Sequence, residues 1–204
     1  MKRLVFIAIA LGAASTTACE QGLDPVELTV DSGMPLETVL ASASARMTSG
    51  FMSGGGILIA QTGDPAIRAS FAVNGSCDAA SRSHISIHWP GGNTFRLSGP
   101  MDEVQCADNG APAGARSAPF DTYSGIGWGI LNGTEDAIVY FIMMDGGRGR
   151  ERNDMAAFAI RPQGGSEDLD LWSEPCGSAV NPLDCMLPLT AGSLQAHGVS
   201  KVKP

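Results

Sequence analysis

His84-Ile85-Ser86-Ile87-His88-Trp89-Pro90-Gly91-Gly92-Asn93-Thr94-Phe95-Arg96-Leu97 is the stretch that decides the fold class. Ile85, Ile87 and Trp89 share one side of a period-two pattern, with His84, Ser86 and His88 on the other, as in a strand with one face buried. Pro90-Gly91-Gly92-Asn93 is turn chemistry, so the segment reads as a β-hairpin returning through Thr94 to Leu97. The same period extends outward. Ile67 to Val73 is a strand upstream, and Ile57 and Ile59 alternate with Leu58 and Ala60 after Gly54-Gly55-Gly56. Downstream, Gly125-Ile126-Gly127-Trp128-Gly129-Ile130 puts Ile, Trp and Ile on one face and bare glycine on the other, which predicts a bulge or a second backbone lying close. Asn132-Gly133 is a hairpin turn, and the near-continuous apolar run Ala137 to Met144 is the most buried strand. Met155 to Ile160, Leu169 with Leu171, and Leu194 with Ala196 complete about nine short antiparallel strands. The fold class is therefore all-β, a single β-sandwich or partly open barrel over residues 51–199.

Composition agrees with that class. Among 204 residues there are 26 Gly and 12 Pro, which interrupt any long helical pattern, and 17% charged residues is too few for a coiled coil. The net charge of −8, with no basic stripe, argues against nucleic acid as a partner.

The N-terminus carries an address. Lys2 and Arg3 precede the apolar run Leu4 to Ala14 and the small residues Ser15 to Ala18, the pattern of an export signal over residues 1–18. Thr16-Thr17-Ala18-Cys19 resembles a bacterial lipobox, with Thr16 where that pattern prefers Leu, so Cys19 is expected to become a lipidated first residue. Residues 19–50 then form a lipid-anchored tether, with a short helix expected from Pro35 toward Met47, and residues 200–204 a C-terminal tail. Five cysteines are an odd number for an exported chain; giving Cys19 to the lipid leaves Cys77, Cys106, Cys176 and Cys185 as an even set for two disulfides. Three connectivities are open, of which nearest-neighbour pairing is favoured. The expected location is the bacterial cell envelope, as an outer-membrane or periplasm-facing lipoprotein, alternatively secreted, and the membrane is met through the lipid only.

Taken in order, several motifs are similar to the post-choice-of-anchor domain, the small β-rich module that follows choice-of-anchor domains in bacterial surface proteins. The resemblance spans Met52 to Val199. It rests on Ser53-Gly54-Gly55-Gly56, Gly75-Ser76-Cys77-Asp78, the hairpin Trp89 to Leu97, Cys106-Ala107-Asp108, Pro119-Phe120-Asp121-Thr122 with Gly125-Ile126-Gly127, and Leu131-Asn132-Gly133. Asp145 with Asn153-Asp154 and the closing Leu194-Gln195-Ala196-His197 continue it. It implies an exported β module and a disulfide between Cys77 and Cys106, and it carries over no activity or catalytic residue. The chain departs from the pattern by an insertion, residues 172–188, that holds Cys176 and Cys185 in a short loop with little expected core material. The module also stands alone on its tether here, which argues against a spacer role.

Candidates for chemistry are few. His84 and His88, with the spacing of zinc ligands on a helix, sit ~13 Å apart in a strand and cannot share an ion. Asp145, Asn153 and Asp154 are hard oxygen ligands at a turn and the calcium candidates; the plainer expectation is an acidic pair bonding its own backbone and balancing Arg148, Arg150 and Arg152. No GxSxG, HExxH or Walker loop is present, and the glycines of Gly125 to Gly129 lie in a strand, not before a helix. The expectation is a non-enzyme without cofactor, in a structural or adhesive role toward an envelope protein or glycan. The alternative is small-ligand or glycan binding on Trp89, Tyr123, Trp128 or Trp172. Two coplanar exposed rings in one groove would favour the binder, and burial of all three tryptophans the structural role. The oligomeric state is not fixed by the sequence.

Overall fold

The computed structural model describes residues 49–61, 65–109, 118–147, 153–173, 176 and 182–198. The signal peptide, Cys19, the tether up to residue 48 with its expected helix, the Arg148, Arg150 and Arg152 loop, and the C-terminal tail lie outside the described residues. The described chain forms β1 (Phe51–Ala60), β2 (Ile67–Ser76), β3 (Ser83–Trp89), β4 (Asn93–Gly99), β5 (Glu103–Ala107), β6 (Thr122–Leu131), β7 (Glu135–Met144), β8 (Met155–Pro162) and β9 (Leu169–Leu171). A 3₁₀ turn at Pro182–Cys185 precedes β10 (Leu187–Pro188) and β11 (Ala191–His197). All pairings are antiparallel, in one sheet ordered β10-β8-β7-β6-β4-β3-β2-β1-β11, with β5 also on β6 and β9 also on β8. Of the two expected architectures it is the partly open barrel: one curled sheet wraps a single main core. Leu194 and Met52 from one end of the sheet share that core with Leu171 and Leu187 from the other.

Period-two alternation fixes which residues line it. In β2, Ala69, Phe71 and Val73 are buried while Arg68, Ser70, Ala72 and Asn74 are exposed, and in β3 Ile85 and Ile87 are buried between exposed His84 and His88. β7 is covered on both faces, Val139, Phe141 and Met143 facing the main core and Tyr140 and Ile142 a second cluster outside, which explains its continuous apolar run.

On β6 the glycines face inward and Ile126, Trp128 and Ile130 outward. A β-carbon at Gly129 would lie 2.4 Å from Phe95 Cζ and 2.6 Å from the Arg96 carbonyl, and one at Gly127 would lie 2.6 Å from Leu97 Cδ1. The expected close approach is thus real, and no bulge is needed, since the β6–β7 register runs unbroken from Thr122–Met144 to Leu131–Glu135. Along its other edge β6 changes partner: β5 pairs as far as Ile126 and β4 only at Ile130 and Leu131, so among the described residues Gly127 to Gly129 have no ladder partner on that side, although β4 lies close against Gly129.

The free edge of β11 is sealed by side chains. Asp154 Oδ2 accepts the Leu194 N–H and Asp145 Oδ2 the Ala196 N–H, each at 2.9 Å. Their other oxygens accept Gly146 and Gly147 N–H, also at 2.9 Å. Two carboxylates at the base of the β7–β8 loop therefore stand where a neighbouring strand's carbonyls would be, and charge-assisted bonds of this kind contribute ~1.5–3 kcal/mol each. Asp154→Asn would set an amide donor against a backbone donor. We expect a loss of about 2–3 kcal/mol in urea unfolding, with exposed Asp136→Asn as a control staying within about 0.5 kcal/mol.

Candidate functional site

The four aromatic candidates have different fates. Tyr123, on the inward face of β6, is wholly buried, and Trp172 is 8% exposed beneath the Arg161 guanidinium, 5.6 Å from its ring centroid. Trp89 ends β3 half-buried, a wall shared by a groove with Ile57 and Arg68 and one with Asn93 and Asn132. Only Trp128 stands out, 48% exposed on the outer face of β6. Among the described residues, the grooves at Trp89 and Trp128 each hold one of the rings, and the tryptophans are not all buried, so neither expected pattern is met whole.

Trp128 lies in a shallow groove of about 420 Å³ with Arg96, Ser98, Gly129, Ile130 and Asp136. It lies where the β4–β6 ladder ends after two paired residues, so that Arg96 and Ser98 of β4 border the indole without a strand pairing at Trp128 itself. Arg96 pairs with Ile130 and Ile130 with Asp136, so a cation and an anion flank the apolar stripe one strand to each side. Neither charge was singled out in the sequence. Each sits at an ordinary polar position of its strand, and only the register across β4, β6 and β7 brings them into one row.

Two of the three calcium candidates, Asp145 and Asp154, are bonded to backbone. All four carboxylate oxygens of Asp145 and Asp154 accept backbone N–H groups, donors that a cation would repel. Among the described residues no group of three His, Cys, Asp or Glu is placed to hold a metal ion. His84 and His88 point to solvent from the outer face of β3.

Both disulfides join nearest neighbours, Cys77 to Cys106 and Cys176 to Cys185. The first lies in the main core. The second corrects the view of the insertion as a loop with little core material: Cys185, Met186 and Trp172 are buried against Tyr140, Ile142, Ala157 and Ala159 on the outer face of β7 and β8. The sequence signal was available, since β7 has apolar residues on both faces and the outer set needs a cover. With separations of 29 and 9 residues, chain entropy assigns the bonds about 3–4 and about 2–3 kcal/mol. Cys77→Ala with Cys106→Ala should therefore lower the melting temperature more than Cys176→Ala with Cys185→Ala. The second pair should still lower it measurably, and hydrogen exchange should rise on the outer face of β7 and β8 as well as near residue 185.

Glu135 and Tyr123 are ionisable groups displaced by their structural surroundings. Bonds from Ser166 and Gly164 hold Glu135 below the usual carboxylate range, pinning the loop after β8. Burial pushes Tyr123 up to about 12, the nearby Ser83 hydroxyl offsetting only part of this, and the phenol makes no well-aligned hydrogen bond where it meets Gly75. The folded-state value lies above the unfolded one. The stability it represents is therefore intact below pH 10 and is lost as the pH rises toward 12, about 2–3 kcal/mol in all. Unfolding titrations should show that slope in the wild type and lose it in Tyr123→Phe.

The chain matches no family model, no curated protein and no solved structure.

Proposed function

We propose that the protein is an exported, non-catalytic module of the bacterial cell envelope, lipid-anchored at Cys19 and akin to post-choice-of-anchor domains, that works by contact through the outer face of β6. The observation that carries this is the exposure of Trp128 and Ile130 on a strand hydrogen-bonded along its whole length to β7. A rigid strand holds these side chains in water at a hydrophobic cost that a bound partner would recover. Two disulfides suit an oxidising compartment, and the pair that the family resemblance implies, Cys77 with Cys106, is present.

Two measurements test the reading. A palmitate analogue should label the wild type and not Cys19→Ser. In cells, a photo-crosslinking residue at Ile130 should give a discrete adduct that Trp128→Ala abolishes without lowering the melting temperature, while exposed Asn74 on β2 gives none. Equal yields at Ile130 and Asn74 would remove the β6 face as a contact surface.

A further inference from the structure

We infer that the occupant of the β6 face is a second copy of this chain, paired so that Arg96 of each copy meets Asp136 of the other. The inference rests on reading that face as a contact surface, and it names the partner. Arg96, Ile130 and Asp136 form one cross-strand row on β4, β6 and β7. Adjacent strands are ~4.8 Å apart, so the two charges sit at equal offsets on either side of β6. Both are exposed, and neither side chain has a hydrogen bond or ion pair among the described residues. Between them Ile130 and, two residues back along β6, Trp128 are exposed, while Ile126 and Ile138 beside them are half-buried against the second cluster.

A two-fold contact is self-complementary: whatever residue touches a second residue must be touched by it in return. Two face-to-face axes through Ile130 keep the strands of the two copies aligned. An axis across the strands sets Arg96 on Arg96 and Asp136 on Asp136, which repels. An axis along β6 sets Arg96 over Asp136 twice and lays the apolar stripe on its own copy. The charge pattern therefore selects one pairing. The curled sheet is convex here, which confines contact to β6 and its flanking strands, a smaller patch than the ~800 Å² per partner of a standard stable interface. Two copies tethered to one membrane raise their effective concentration, so a weak contact suffices. Addition of a strand at the sheet edge is a poorer alternative, because the outward N–H groups of Leu194 and Ala196 on β11 are already taken.

The mass of the Ile130 adduct, formed in cells with the full chain, decides the matter. The expected species is twice the chain mass. Its yield should fall about tenfold in Arg96→Asp or in Asp136→Arg, because two attractive pairs become repulsive, and should return in the double variant, where the signs are exchanged. Melting temperatures should be unchanged in all three variants. An adduct of any other mass, with another protein or with a glycan seated on Trp128, would overturn self-pairing and leave the contact face standing. A homodimer indifferent to the reversals, or not restored by the double exchange, would overturn the Arg96–Asp136 pairing. No adduct at all would remove both readings.

Discussion

A sheet that curls without closing must do something with its last strand, and here two carboxylates supply what a further strand would have supplied. β11 is paired on one side with β1; on the other, Leu194 and Ala196 direct N–H groups at Asp154 and Asp145. Alternate residues of a strand present their donors ~6.6–7 Å apart along one edge. Asp145 just after β7 and Asp154 just before β8 meet that spacing because both sit at the base of one loop. Each carboxylate also binds the loop itself, through Gly147 or Gly146, so it is held in place before it meets β11. The closure thus depends on Gly146 and Gly147 where that loop begins, and the edge it covers is not left as a template for further strands.

The rest of the barrel follows from holding those ends together. With β11 in place, Met52, Leu58 and Leu194 from the β1–β11 end share a core with Phe158, Leu171 and Leu187 from the β8 end. The glycines of β6 admit Phe95 and Leu97 at the point where β4 gives way to β5. What is a sacrifice of side chains on the inner face becomes a display on the outer one, because the residues alternating with the glycines are Ile126, Trp128 and Ile130. Local packing need and exposed apolar surface have one origin in this strand.

The outer faces of neighbouring strands are treated differently. Over β7 and β8 the apolar residues are roofed by Trp172, Met186 and the Cys176–Cys185 bond, forming a second small core. That cluster reaches β6 only at half-buried Ile126; among the described residues nothing covers Trp128 and Ile130, and Trp128 is left half in solvent. Arg161 marks the boundary, lying over Trp172 and paired with Asp168 at 3.3 Å and Asp170 at 2.7 Å. That contrast within one face of one sheet is the basis for proposing the exposed part of β6 as a contact surface.

The sequence by itself determined the strands, their turns and the all-β class, because period-two alternation and Gly, Pro and Asn punctuation are local properties that a segment carries wherever it is placed. It also showed that Ala137 to Met144 is buried on both sides, and which four cysteines remain once Cys19 is assigned to the lipid. In β6 the two alternating sets were Ile-Trp-Ile and glycine, and their alternation left open which set faces inward; that was decided by the bulk of Phe95 and Leu97 from another strand. The burial of Tyr123 and Trp172, the capture of β11 by Asp145 and Asp154, and the row of Arg96, Ile130 and Asp136 likewise exist only in the register between strands distant in sequence. Register is set by the whole core closing at once, so the features on which function is proposed to rest belong to the tertiary structure.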